Sequence, residues 1–423
     1  MSHSAYLLRL AIKSSWNRRF TLFMIVLSIA LSTVLLLGIE RLRVQAKEGF
    51  INAVSSVDLV VGARGSQVQL VLYAVFRIGG ATNNMSFESA QRLDAHPEVA
   101  WTIPVSLGDS HRGFPVLATN GNYFEHFRYG SAQALRFRSG AVFEDVFDVV
   151  IGDEVARALA YTTGSRIVIS HGSGVIGGFD HSDKPFVVTG ILERTGTPVD
   201  RTLHIGLDGL EAIHLGWEGG TPVRGLVIEP GQVRKFDLTP KSITALLVGL
   251  ESRTRIFAMQ RELMHDPHEA LMGVLPGVAM DELWSMVNVG ERALMATSVL
   301  VAVVGLAGLA SSVLAGLGER RRELAVLRSV GARPHEIVLL LLFEGILLLV
   351  SGIVAGVFVL TVLFAFIGDV AQKKWGIPLH TGWPGAGEWM LMGGIFAAGL
   401  FASLIPAIRA YRMSLSDGLT ARM

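Results

Sequence analysis

Four stretches of this chain are too long and too apolar to be core helices of a soluble protein. Residues 20–39, 293–318 and 389–408 carry no charged side chain, and 337–367 carries one, Glu344. Crossing the hydrocarbon of a bilayer takes about 20 residues of helix at about 1.5 Å each. Each stretch therefore reads as a membrane span. Half of the sequence is hydrophobic and 17% is charged, which excludes an ordinary soluble enzyme and a disordered regulator. The first span follows Arg18-Arg19 and runs into Glu40-Arg41-Leu42-Arg43 without a small-residue cleavage site, so it reads as a retained anchor.

Basic residues near short loops resist translocation and so set orientation. Arg9, Lys13, Arg18 and Arg19 precede the first span; Arg320, Arg321, Arg322, Arg328 and Arg333 lie in 319–336; Arg409, Arg412 and Arg422 follow the last. The 368–388 loop offers only Lys373 and Lys374. Both termini and the 319–336 loop are expected in the cytoplasm. The chain then divides into a cytoplasmic amphipathic segment (1–19), a span (20–39), a large extracytoplasmic domain (40–292), a span (293–318), a cytoplasmic coupling helix (319–336), a span (337–367), a short outer loop (368–388), a span (389–408) and a cytoplasmic tail (409–423). The fold class is a membrane protein with one and then three transmembrane helices around a large α/β domain.

The outer segment holds 23 basic against 29 acidic residues, and the whole chain 37 against 36, so there is no basic field to hold nucleic acid. No cysteine is present, and the outer domain must be stable without disulfides. Strand-like runs at 57–61, 147–151, 166–170 and 186–192 alternate with helical stretches at 86–95, where Ser86 suits an N-cap, and 154–160. Residues 243–264 return to helix spacing. The apolar run 68–76 is half the length of a span and has two readings, a buried strand or helix and an element at the membrane surface touching lipid.

In the 319–336 loop, Leu324, Leu327 and Val330 recur every three residues beside Arg320, Glu323 and Arg328, Gly331 suits a helix stop, and Pro334 suits the next helix start. A short charged helix held between two spans is a lever by which a cytoplasmic partner transmits force; the bland reading is a snorkelling basic flank. The segment 319–333, followed by Phe343-Glu344-Gly345, resembles the hallmark of FtsX-like ABC permeases, the group that includes MacB and the lipoprotein-release permeases LolC and LolE. Val149-Val150-Ile151-Gly152 with Val155-Ala156, the run 186–192, Pro406-Ala407-Ile408-Arg409-Ala410 and Asp417-Gly418-Leu419 also match, as does the amphipathic run before the first span.

That resemblance implies a permease with a porter-like outer domain carrying a β-rich insertion. It works as a homodimer or with a related permease subunit, embedded in membrane lipids of the bacterial inner membrane. A separate ABC ATPase serves it and holds the ATP and magnesium, so no cofactor is bound directly. Glu323, Leu324, Leu327, Arg328, Ser329, Gly331 and Ala332 match the docking segment through which ATP-driven closure is relayed outward, a process called mechanotransmission. Lipoprotein, lipid-like or other envelope material is the implied cargo, and a periplasmic binding protein or adaptor a further partner. Unlike MacB itself the sequence carries no fused ATPase, and its outer segment exceeds that of cell-division FtsX proteins, so cargo does not transfer from either. Independently of the resemblance, a P-loop places Gly immediately before its Lys, and no lysine here follows a glycine. The chain is expected to be a transport subunit and not an enzyme, and neither a His-Glu-x-x-His pair nor a Gly-x-Ser-x-Gly elbow occurs.

Glu344 is an intramembrane carboxylate, and such groups usually pair or anchor a helix end; a proton relay is the alternative. Small residues four apart, among them Gly352 and Gly356, suit close helix contacts. Nine of the twelve histidines lie in 40–292. His265 and His268, flanked by Glu262 and Glu269, offer metal ligands at i and i+3, and His171 and His181 bracket a Gly-rich turn; ordinary surface histidines are the bland reading, and no metal is assigned. A zinc-related transport component, or a membrane-anchored scaffold or regulator of FtsX type, are the alternative functions.

Overall fold

The computed structural model describes residues 19–52, 55–80, 83–172, 180–218, 221–222, 228–319, 333–375 and 382–412. The chain forms two units, one of residues 47–286 and one of 1–46 with 287–423. Ten α-helices occur among the described residues: α1 Arg19–Asn52, α2 Gln67–Phe76, α3 Phe87–Asp94, α4 Asn122–His126, α5 Asp153–Leu159, α6 Leu207–His214, α7 Ile256–Met264, α8 Pro276–Glu319, α9 Pro334–Trp375 and α10 Ala386–Arg412. Four of them, α1 and α8 to α10, are long and apolar enough to cross a membrane.

The unit of 47–286 is built on one mixed sheet of eleven strands: β1 Leu59–Ala63, β2 Val99–His111, β3 Phe114–Thr119, β4 Phe137–Gly140, β5 Asp148–Ile151, β6 Arg166–Ile167, β7 Ser170–His171, β8 Phe186–Leu192, β9 Leu203–Gly206, β10 Ala245–Leu250 and β11 Leu271–Val274. Their order is β11-β1-β10-β2-β3-β9-β5-β8-β4, with β7 on β2 and β6 on β8. The β9/β3 and β8/β5 pairs are parallel and the rest antiparallel. Successive side chains leave a strand on opposite faces, and here both faces are covered. Leu59, Val61, Val149, Ile151, Leu203 and Ile205 pack with α5, α6 and α7 in one core. Val60, Ile103, Val105, Val150 and Leu247 pack with α2 and Tyr123 in another.

This two-sided burial explains one departure from the sequence reading. Residues 245–250, Ala-Leu-Leu-Val-Gly-Leu, form β10 and not the first turns of a helix; the α-helix spans 256–264, after a 3-10 turn at Arg253–Arg255. A strand buried on both faces reads as an unbroken apolar run, which periodicity does not separate from a buried helix. The apolar run 68–76 is helix α2, and the buried reading holds. Leu70, Val71, Ala74, Val75 and Phe76 face the core, Val68, Leu72 and Tyr73 are half-buried, and its exposed positions are Gln67 and Gln69. Ser66 caps it by accepting from the Gln69 amide, as Ser86 caps α3 by accepting from Ser89.

His204 is wholly buried on β9 between Tyr123 and Phe124, with Nδ1 3.3 Å from the Val150 carbonyl oxygen. Burial above all, with Arg77 adding to it, lowers its pKa to about 3.

In the unit of long helices, Ile25 and Ile29 of α1, Leu309 of α8 and Leu348 and Leu349 of α9 share one cluster. Gly352 and Gly356 of α9 make close approach possible: a Cβ at Gly352 would stand 2.6 Å from Ile29 Cγ2, and one at Gly356 2.8 Å from the Ala30 carbonyl oxygen. Phe23, Leu27, Leu31, Val304, Phe358 and Phe401 point outward, the inverse of a soluble bundle.

Charge is handled in pairs. Arg41 of α1 grips Glu388 of α10 with two hydrogen bonds, Nε to Oε1 and Nη2 to Oε2, both 2.7 Å. Its guanidinium lies 5.7 Å from the centre of the Phe364 ring on α9. Beside it, Arg43 bridges Glu40 at 3.1 Å and Glu291 of α8 at 3.3 Å. One band of polar contacts thus touches all four long helices.

Two outcomes are expected. Glu388→Ala strands a buried guanidinium and should destabilise the helical unit by about 3–5 kcal/mol, whereas the double change Arg41→Met with Glu388→Leu should recover most of that; denaturant unfolding of the full chain in detergent measures both. For His204, the unfolded chain takes up a proton as pH falls below 6.5 and the folded chain does not until about 3, so stability falls by about 1.4 kcal/mol per pH unit in that window. His204→Phe removes this loss and should lower the acid-unfolding midpoint, read by tryptophan fluorescence, by roughly 0.5 pH unit.

Candidate functional site

The expected docking residues Glu323, Leu324, Leu327, Arg328, Ser329, Gly331 and Ala332 lie outside the described residues. Glu344 is buried on α9, next to the point where α10 comes so close that a Cβ at Gly345 would stand 2.5 Å from Ser403 Oγ.

His265 and His268 are both exposed at the end of α7. The His265 Nδ1 lies 2.7 Å from the Arg261 carbonyl oxygen and is engaged in capping the helix, and the His268 amide donates to Asp266. Their acidic neighbours are also occupied. Glu262 sits 3.3 Å from His96 Nε2, and Glu269 accepts from Ser86 and Ser89. The burial of Glu269 acts against those hydrogen bonds, and the hydrogen bonds prevail, so its carboxyl titrates below the usual range.

A different group converges in the same unit. Asp109, His171, His181 and His214 each present a ligand atom, and these atoms all lie within 4.8 Å of one another. The backbone brings them there from four places. Asp109 is on β2 and His171 is its antiparallel partner on β7. His214 is the last residue of α6. His181 follows β7, held by its amide donating to the Ile169 carbonyl at 2.9 Å. The Trp217 ring closes the group, 4.3 Å from the His181 ring centre.

Within the group, His171 Nδ1 lies 2.9 Å from Asp109 Oδ1 and 3.4 Å from His214 Nε2, and His214 Nε2 lies 3.6 Å from Asp109 Oδ2. His181 is fully buried, and among the described residues neither of its ring nitrogens has a hydrogen-bond partner; nor has Asp109 Oδ2. Burial, reinforced by His214, pushes the His181 imidazole down to about 4. The hydrogen bond that its ring donates to Asp109 raises the His171 pKa. Three imidazoles and a carboxylate are the donor set of a divalent transition cation.

Of these residues, His171 and His181 are recognisable in the sequence as a pair around a glycine-rich turn. Asp109 and His214 carry no such signal: Asp109 is 62 residues from His171 and His214 is 43 away, and only strand register and helix length bring them in.

A family model described as the FtsX-like permease C-terminal matches residues 295–415, and one described as the MacB-like periplasmic core domain matches residues 20–256, more than half of the chain. Among solved structures, the periplasmic region of MacB from Actinobacillus actinomycetemcomitans is similar at 11% identity and a TM-score of 0.34, covering 55% of this chain and 95% of that one. The extracellular domain of the ABC-type transporter YknZ from Gram-positive bacteria is similar at 13% identity and a TM-score of 0.29, covering 51% and 98%. No curated protein sequence matches the chain. With a MacB-like core matched over its α/β unit and an FtsX-like segment over its last three long helices, the chain belongs to the MacB/FtsX-type family of ABC transporter permeases.

Proposed function

We propose that this chain is the membrane subunit of an ABC transporter in a bacterial inner membrane, in which ATP hydrolysis on a separate subunit is relayed as movement of the α/β unit outside the membrane. The observation that carries this reading is the family match on both sides of the chain, a periplasmic-type core over 20–256 and a permease segment over 295–415. Permeases of this family work with an ABC ATPase, and the basic 319–336 loop is where such a partner docks. The basic residues of that loop and of both termini support a cytoplasmic position for them. The subunit acts as a homodimer or beside a related permease.

The relay needs stiffness at both ends of the docking loop. Helices α8 and α9, 44 and 42 residues long, flank it, so a push on the loop moves whole helices and not a slack linker. Cargo is lipoprotein, lipid-like or other envelope material handled on the outer side. The absence of any Gly-Lys step in the sequence supports an external motor.

Tagged full-length protein recovered from its host membranes should bring down a P-loop ATPase. Placing a carboxylate in the apolar ridge by Leu327→Asp should reduce that recovery at least about tenfold, since desolvating an unpaired charge at an interface costs upward of about 2 kcal/mol. The α/β unit should stay folded by circular dichroism. Equal recovery from the two proteins would refute the docking assignment.

A further inference from the structure

We infer that Asp109, His171, His181 and His214 form a closed four-ligand site for a zinc-class divalent cation. The inference goes beyond the transport reading and does not depend on it.

Three observations carry it. The first is what the group lacks. A fully buried imidazole with no hydrogen-bond partner for either nitrogen, beside a buried carboxylate one of whose oxygens accepts no hydrogen bond, leaves polar atoms poorly compensated among the described residues. A hydrogen-bonded His171–Asp109 pair accounts for two of the four side chains and does nothing for His181. A cation satisfies all four together.

The second is the tautomer of His214. Its Nδ1 lies 2.9 Å from the Leu210 carbonyl oxygen, an acceptor, so Nδ1 carries the proton and donates it. Nε2 then presents a lone pair to the cluster, facing Asp109 Oδ2 at 3.6 Å. Two electron-rich atoms facing each other, one of them on the buried Asp109, are repulsive unless a proton or a cation stands between them. A backbone carbonyl that holds one imidazole nitrogen so that the other points at an ion is also the usual outer support of a histidine ligand.

The third is spacing. Donors at about 2.0–2.1 Å from a tetrahedral zinc stand about 3.3 Å from one another. The two imidazole nitrogens stand 3.4 Å apart, close to that value, and the Asp109 carboxylate offers Oδ1 at 2.9 Å from His171 and Oδ2 at 3.6 Å from His214. His181 is within 4.8 Å of the others and closes the fourth corner. Nitrogen-rich donors favour zinc over calcium or magnesium, which take oxygen ligands. With four protein ligands no position is left open for substrate, so the ion acts as a staple joining β2, β7 and the end of α6. Half-exposed His171 and His214 give it a route in from solvent.

The test uses the full chain in detergent, stripped with a chelator and titrated with zinc chloride in competition with a chromophoric zinc indicator. One zinc per chain with a dissociation constant below about 1 µM is expected, with no competition from magnesium or calcium, together with a higher thermal midpoint in zinc. His181→Gln and Asp109→Asn should each weaken binding at least about 100-fold, while the double change His265→Ala with His268→Ala should leave it unchanged. X-ray absorption of the zinc-loaded wild type decides independently of whether the variants fold. Three imidazoles and one oxygen donor are expected at about 2.0–2.1 Å. A wild-type chain that takes up no zinc at about ten times that concentration, binding indifferent to both His181→Gln and Asp109→Asn, or a spectrum with fewer than two imidazoles would each overturn the assignment.

Discussion

Charge removed from water must find a partner, and each unit of this chain is arranged around that requirement. A buried ion costs several kcal/mol unless its geometry and hydrogen bonds compensate. In the helical unit the requirement is met by Arg41 and Glu388, 6% and 7% exposed, joined prong to prong. Because the two residues come from the first and last of the long helices, their pairing specifies which helices are neighbours in a way that apolar surface does not. Leucine and valine faces are interchangeable, whereas a bidentate pair has one register. Glycines 352 and 356 then set how near α1 and α9 come.

The α/β unit shows the same requirement in two forms. At His204 the charge is refused: the ring stays neutral among aromatic residues, at the cost of stability in acid. At Asp109 a buried carboxylate has His171 Nδ1 2.9 Å away and two further imidazoles turned toward the same point. A lone buried imidazole and a carboxylate–imidazole cluster therefore lie in one sheet, on β9 and on β2 with β7.

Much of this protein is legible residue by residue, but only where a signal is local. The spans show because uninterrupted apolar length has no other explanation in a chain this size. The strand 186–192 and the Ser86 cap show because alternation and capping are properties of neighbours. The strand 245–250 reads as helix because its place in mid-sheet, between β1 and β10's other neighbour β2, buries both of its faces and erases the alternation. The histidine group is half legible: His171 and His181 lie ten residues apart around glycines, while Asp109 and His214 enter through a register and a helix end.

Length of apolar run, distribution of basic residues and the motif in the 319–336 loop are one-dimensional quantities. From them follow a four-span membrane protein and the permease family. Which side chains meet is not one-dimensional. Arg41 finds Glu388 across 347 residues, and four ligand atoms converge from two strands, a loop and a helix end. Chain folding alone brings such atoms together, because hydrogen bonds act over about 3 Å of space and ion coordination over about 2 Å, with no regard to separation along the chain.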